Sequence, residues 1–524
     1  MPMAGSSWKN SLPAMVPLMI VLDTMLPYQA IMPLSARIMM IFLIPIPVQP
    51  IFSNAWVTDG MRRRTSIQVI DGTDISMSGD FAIVGARYDD DKGSNSGSAY
   101  IIQRKAGGWS QMTKLFANDG AADDYFGTSV AIYDNYAIVA APYEDVSYSN
   151  SGAAYIFRRL GNIWYQEAKI YAGDRAENDY FSHSVDMNDN FAVIGSIYED
   201  HNYTDQGSVY IFKRNGSSWT QTAKIMASDR AASDHFGHAV AIDGNYIIVG
   251  SRYDDDNGSS SGSAYIFKYD GTNWIQEAKL TASDAQADDQ FGYGVSIHND
   301  MVIVGARYHD ASGSNSGAAY IFQRNGTSWT EIKKLIPSDP AANDYFGFKV
   351  DLTDNYAIIS AYGKDDHNTD TGAAYVFKNI SGDWVQVSKL NGSDSEASDL
   401  FGYGVSISDD YAAIGAMYDD ESGTDSGSAY FYELTSKARF THIDDPKIHM
   451  SDQSNSIPIT IVNSNDGSLT IQATSSNVTL ISNANIVISG SANNTLNTPS
   501  LAGIVKPNAC LLSASTTLFG ILAG

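Results

Sequence analysis

Residues 126–170 read FGTSVAIYDNYAIVAAPYEDVSYSNSGAAYIFRRLGNIWYQEAKI, and this stretch decides the fold. Phe126–Ile132 alternates small and apolar residues, and after an Asp134-Asn135 turn Tyr136–Ala141 is a continuous apolar run. A polar loop from Glu144 to Ser151 leads into Gly152–Phe157, whose Ala-Tyr-Ile-Phe core is strongly β-forming. A Gly161-Asn162 turn then precedes Trp164–Ile170, where apolar and polar positions alternate. Short runs bounded by Gly, Asn, Asp and Ser are strand and hairpin signals, so the unit reads as four antiparallel strands.

The unit repeats without a break in phase. Phe126-Gly127 recurs as Phe181-Ser182, Phe236-Gly237, Phe291-Gly292, Phe346-Gly347 and Phe401-Gly402, each step being 55 residues. The same step carries Trp109 to Trp384 and Tyr100 to Tyr430, and extrapolation backwards lands on a degenerate first copy at Asp71-Gly72. Seven four-stranded units between roughly 66 and 445 predict an all-β chain, a seven-bladed β-propeller. A linear solenoid is the competitor, but ring closure removes exposed strand edges and needs no caps.

Composition narrows the function classes. The chain of 524 residues carries 33 Lys and Arg against 59 Asp and Glu, a formal charge of −26 that argues against nucleic acid or an anionic membrane as partner. Its single cysteine, Cys510, excludes a disulfide framework and a cysteine-based zinc site.

Phe291-Gly292-Tyr293-Gly294-Val295, Ile303-Val304-Gly305-Ala306 and Ser316-Gly317-Ala318-Ala319-Tyr320-Ile321-Phe322 resemble FG-GAP repeats. These are the blades of the integrin alpha-subunit propeller and of many secreted microbial proteins. The resemblance covers about three-quarters of the chain. It implies a propeller that is usually extracellular and serves adhesion or ligand binding. Integrin-type blades often carry a calcium loop between their first and second strands. Here that connection is only Asp134-Asn135 and its equivalents, too short to supply the oxygens calcium takes.

In an up-and-down blade the fourth-to-first and second-to-third loops emerge on one face. The former carry Asp119/Asp124, Asp174/Asp179, Asp229/Asp234, Asp284/Asp289, Asp339/Asp344 and Asp394/Asp399. The latter place Asp90, Asp145, Asp200, Asp255, Asp310, Asp365 and Asp420 at one position in all seven copies. On the opposite face the third-to-fourth turns carry Arg104-Lys105, Arg158-Arg159, Lys213-Arg214, Lys268, Arg324 and Lys378. An aspartate repeated in every blade first reads as a loop-fixing acceptor of backbone N–H bonds. The second reading is ligand or cation binding, strongest at Asp89-Asp90-Asp91 and Asp254-Asp255-Asp256. No cofactor is required on either reading, and weak Ca2+ binding is the most these loops are expected to provide.

No residue stands out as catalytic, and the chain is not expected to be an enzyme. His183 and His238 occupy the position that Tyr293, Phe348 and Tyr403 fill elsewhere, which says packing. His201, His309 and His367 lack zinc-site spacing, and nucleophile-elbow and phosphate-loop patterns are missing. Residues 1–55 read as a signal peptide cleaved after Ala55, or as an N-terminal hydrophobic anchor. Residues 446–524 read as a Ser/Asn/Thr-rich β module or tail with strands at Ile457–Val462, Ser468–Ala473, Val478–Ile481 and Ala484–Ser489. The fourth strand of the last blade is due either at Ala438–Ile443 or, by ring closure, at Thr65–Ile70. The expected function is a secreted or cell-surface binding or adhesion propeller, its acidic face engaging a cation-bridged or basic partner, an extracellular protein or glycan. The alternatives are a lectin, with Tyr143, Tyr198, Tyr253 and Tyr308 as the residues to inspect, and a structural surface protein without a specific ligand.

Overall fold

The computed structural model describes residues 64–434, apart from 70, 71, 107, 367, 393–395 and 421–425, and short strands between 439 and 516. The leader or anchor expected over 1–55, His367, Asp394 and the strand expected at Val478–Ile481 lie outside the described residues. Seven four-stranded antiparallel sheets follow one another along the chain. Blade 4 is representative: Phe236–Asp243 is its inner strand, then come Tyr246–Ser251, Ser263–Tyr269 and the outer strand Trp274–Leu280. The chain is an all-β, seven-bladed propeller, and no helix among the described residues is long and apolar enough to cross a membrane.

The second strand of each blade is an unbroken apolar run because neighbouring blades cover both of its faces. All six residues of Phe81–Ala86, Tyr136–Ala141 and Met301–Ala306 are buried. The glycine in this strand has a steric cause. A Cβ on Gly250 would stand 1.9 Å from the carbonyl oxygen of Gly292 in the next blade, so at this seam only glycine lets the blades close on each other, whereas blades 2 and 6 carry Ala140 and Ser360 at the equivalent position. Phe236 is fully buried and meets Tyr265 and Phe267 of its own sheet edge-on, at 5.5 and 5.9 Å between ring centroids.

The inner strands depart from the expected bounds. In blades 2 and 6 they begin at Val130 and Val350, while Phe126 and Phe346 form lone parallel bridges to Gly97 and Gly317 of the preceding blade. The residue after the phenylalanine turns the chain at positive φ, +100° at Gly127 and +95° at Gly347. Blade 3 has Ser182 there instead, at φ 75°, and its hydroxyl donates to Ala153 O at 2.6 Å.

The ring closes from the front of the chain. Arg64–Gln68 pairs antiparallel with Ser428–Glu433 and supplies the outer strand of blade 7, which decides between the two expected candidates. Arg439–Phe440, inside the rejected stretch, pairs with Ile459–Val462 instead. Trp109 of blade 1 stacks on Phe431 of blade 7 at 4.5 Å and meets Tyr411 edge-on at 5.4 Å, sealing that seam. Beyond the propeller, Ile471–Ser475 pairs with Leu512–Thr516, a stretch in which no strand was expected.

Candidate functional site

The acidic loops are built around a lysine in the outer strand. Lys114, Lys169, Lys224, Lys279, Lys334 and Lys389 each lie opposite the third-strand tyrosine, Tyr100 through Tyr375. Each ammonium stands 5.1–5.5 Å from that tyrosine's ring centroid. Around it converge the loop acids. Lys169 meets Asp119 at 2.7 Å and Glu144 at 2.6 Å, and Lys224 meets Asp174 at 2.7 Å and Glu199 at 2.6 Å. Lys114 meets Asp89 and Asp91.

In blade 4, Asp229, Asp254 and Asp256 bring carboxylate oxygens within 4.8 Å of one another, a spacing that could hold a metal ion. Lys279 is already there, 2.8 Å from Asp229, 3.0 Å from Asp254, and in contact with Asp256. Burial works to lower the Lys279 pKa, but the hydrogen bonds from these aspartates win and hold it well above the usual ammonium value. Burial likewise works to raise Asp229, and Lys279 outweighs it, keeping that carboxyl below its ordinary range.

The remaining candidates fix loops. Asp90, Asp145, Asp200, Asp255, Asp310 and Asp365 each accept the backbone N–H five residues on, at 2.6–2.8 Å. Asp420 adjoins 421–425, which lie outside the described residues. Asp124, Asp179 and Asp234 are buried and accept the N–H three residues back, at 2.6–2.7 Å. Burial pushes all three carboxyls up to about 6. At the position of Asp89 and Asp254, blade 5 has His309, set between Asp289 at 2.9 Å and Lys334 at 2.7 Å. Blade 6 has Lys364, 3.0 Å from Asp344.

The opposite face is less basic than its turns suggest. Arg104 and Arg324 pair with Asp80 and Asp300 of the first-to-second turns, and Arg158 pairs with Glu167.

Where the central channel opens on the acidic-loop face, the structure gathers aromatics that no single repeat displays. Tyr88, Tyr125, Tyr143, Tyr180, Tyr198, His235 and Tyr253 run from blade to blade with centroids 4.7–5.7 Å apart, alternating between the two loop types. Of the tyrosines singled out in the sequence, Tyr143, Tyr198 and Tyr253 join this necklace, and Tyr308 continues it through Tyr345 to Tyr362. Nearer the axis, His183, His238, Tyr293, Phe348 and Tyr403 form a crescent with successive centroids 4.4–5.2 Å apart. Residues 55 apart can touch side chain to side chain only where the blades converge. The packing expected of His183 and His238 is therefore packing at the channel wall. Burial first, and then the charge of Arg252 among others, lowers both imidazoles, His183 to about 3.

Three arginines that the repeat reading passed over sit on this aromatic surface. Arg307 lies 3.8 Å from the Tyr293 centroid and 4.3 Å from Tyr308, Arg252 lies 4.5 Å from Tyr253 and 5.6 Å from Tyr293, and Arg87 lies 4.7 Å from Tyr88. They occupy the residue directly after the second strand, which in order of blade is Arg87, Pro142, Ile197, Arg252, Arg307, Tyr362 and Met417. That irregularity inside a regular repeat was the available signal. Arg307 is steadied by Gln290 Oε1 at 3.3 Å and the Tyr308 hydroxyl at 2.9 Å. Among the described residues neither Arg252 nor Arg307 is ion-paired with a carboxylate, and Arg252 Nε is buried without a hydrogen-bond partner. Lys349, directly before the inner strand of blade 6, has Asp74 at 3.4 Å.

A search of curated proteins finds no significant match to the chain. Family comparison finds the FG-GAP repeat seven times, over residues 72–102, 109–157, 164–212, 219–267, 274–322, 329–377 and 384–432. Each of these segments ends within the third strand of a blade, so the family's unit and the structural unit share one period, and the chain belongs to the FG-GAP repeat family.

Proposed function

We propose that this protein is a secreted or cell-surface binding or adhesion module, and that its partner seats on the acidic-loop face at the channel mouth. The observation that carries this reading is the placement of Arg252 and Arg307 on the aromatic crescent without carboxylate partners, at a position the repeat does not fix. A residue demanded by the fold recurs in every blade, as Tyr100 and its equivalents do. A residue that serves one ligand is free to differ. The inner acids of the same face are committed to the blades' own lysines, so a basic partner would compete with resident ammonium groups. This moves the weight from a cation-bridged partner towards one that uses the aromatics, and the necklace supports a glycan.

We read binding and not catalysis here. The Asp289–His309 pair has the chemistry of an acid–base dyad, but His309 is 2% exposed and locked between Asp289 and Lys334.

The reading is tested by attachment of the full chain to a panel of immobilised glycans and extracellular-matrix proteins. Tyr362→Ala and Tyr403→Ala at the mouth should abolish attachment. Leu160→Ser and Ile163→Ser, exposed on the opposite face, should leave it intact. The reverse pattern, or no attachment by the unaltered chain, would sink the proposal.

A further inference from the structure

The loop face of this protein spends its cations carefully. Lys114, Lys169, Lys224, Lys279 and Lys389 each touch at least two loop carboxylates, and Lys364 bonds Asp344. In a chain of charge −26, acid partners are in excess. Arg175 and Arg230 of the same face bond backbone carbonyls of their loops instead. Among the described residues Arg252 and Arg307 have no carboxylate partner either, although both guanidinium carbons lie within 6 Å of one ring, that of Tyr293. Two like charges sharing one aromatic platform repel, and the repulsion is relieved when an anion is placed between them.

From this we infer that the channel mouth takes a carboxylate, and that the ligand is an oligosaccharide ending in a single acidic sugar. Three features select that class. The guanidinium fork matches a planar carboxylate in two parallel hydrogen bonds, a fit that an ammonium group does not reproduce. Arg307 is held in place by Gln290 and Tyr308 through Nε and Nη2, which leaves Nη1 without a protein partner, and Tyr308 and Tyr253 brace the two side chains from the loop side. Partly exposed rings stand alongside, Tyr403 and Tyr362, with centroids 6.0 Å apart and their faces 68° from parallel. Such surfaces suit the C–H face of a pyranose. The acidic rim supplies the third constraint. Exposed Asp90, Asp145, Asp200, Asp255 and Asp310 surround the mouth, so a polyanion would be repelled along its length while a neutral chain with one acidic end would not.

The inference rests on the reading of the loop face as a binding surface, and it fails separately from that reading. Calorimetry on the full chain would compare a glucuronate-terminated trisaccharide with its glucose-terminated counterpart, and a hexapeptide bearing a free C-terminal carboxylate with its amide. The acidic sugar should bind at least about tenfold more tightly than the neutral one, as expected for hydrogen bonds to a charged group. The double variant Arg252→Gln/Arg307→Gln should erase that preference, bringing the affinity for the acidic sugar down to that for the neutral one. Arg252→Lys/Arg307→Lys keeps the charge without the fork and should retain only part of it. Unchanged melting temperatures would show that both variants fold. Equal binding of the two sugars, no binding of either, or a preference that survives the double glutamine variant would overturn the inference. Arginine-dependent binding of the peptide carboxylate alone would overturn the sugar assignment and leave the loop-face reading standing. No attachment by the unaltered chain in the surface panel would instead remove the loop-face reading itself.

Discussion

Thr65 lies opposite Phe431 in an antiparallel pair, so the outer strand of the seventh blade comes from the sequence that precedes the first. The two ends of a 55-residue repeat array are thereby fastened to each other. Buried Val69 joins Ile75, Trp109, Tyr411 and Phe431 in the cluster at this seam.

A chain shortened to begin at Gly72 should therefore lose its closure. Scanning calorimetry should show a melt lowered by many degrees, and light scattering should show self-association through the bared edge of Ser428–Glu433. A peptide of residues 60–72 added in trans should restore both. An unchanged melt would mean that the seam contributes little and that the other blade interfaces hold the ring unaided.

Truncating Phe236 to alanine should cost about 3–5 kcal/mol by urea denaturation, because its ring is fully enclosed between two blades. Phenylalanine stands at this position in six blades, and each ring meets the third-strand tyrosine of its own sheet. A cost under about 1 kcal/mol would show that the neighbouring sheets collapse into the space.

The seven-bladed ring was legible because its causes repeat. Gly250 and its counterparts Gly85, Gly195, Gly305 and Gly415 meet one steric demand where a second strand faces the next blade, and that demand writes itself into five of the seven copies at a fixed step. The role of Lys279 was less legible. It recurs with Lys114 and Lys169 five residues after each tryptophan, yet a periodic lysine in an alternating strand reads as solvent-facing. Its acids arrive from two different loops, one of them 50 residues back. Arg252 and Arg307 were invisible for the opposite reason. Their meaning lies in a shared contact with Tyr293, which Arg252 reaches across a blade boundary and Arg307 within its own blade, and what the copies have in common does not show it.

Replacing Lys279 with methionine should convert a filled acidic cluster into an empty one. Three converging carboxylates would lose their counterion, destabilising the blade by about 2–4 kcal/mol, discounted because Asp256 is largely exposed. The same variant should gain a saturable rise in melting temperature on calcium titration, since the oxygens already lie within 4.8 Å of one another. The unaltered chain should show no saturable rise below millimolar calcium. A saturable response of the unaltered chain at micromolar calcium would place the ion elsewhere on the face and remove the counterion role from Lys279.

Acid sensitivity should be balanced between the channel wall and the loops. Burial pushes the His183 imidazole down to about 3, His235 down to about 4 and His238 well below its ordinary value, so all three stay neutral in the fold while the unfolded chain takes up protons below about pH 6.5. The stability they contribute is present above that value and drains away as the pH falls towards 3. Asp186, pushed up to about 7 by burial, and Asp124, Asp179 and Asp234, pushed up to about 6, act in the opposite sense. They bind protons in the fold that the unfolded chain releases above its ordinary 3.8, so their penalty is full at neutral pH and lifts on acidification. Between about pH 7 and pH 5 the two sets offset, and the denaturation midpoint of the unaltered chain should move little. His183→Phe with His238→Tyr uses residue types found at Phe348 and Tyr403 and removes two of the three imidazoles from one side of that balance. Its midpoint should rise as the pH is lowered across the same window, whatever its absolute stability after loss of the 3.1 Å contact from His238 to Tyr293 O. A double variant whose pH profile runs parallel to that of the unaltered chain would show that water in the channel solvates these imidazoles, and that the wall is less dry than their surroundings indicate.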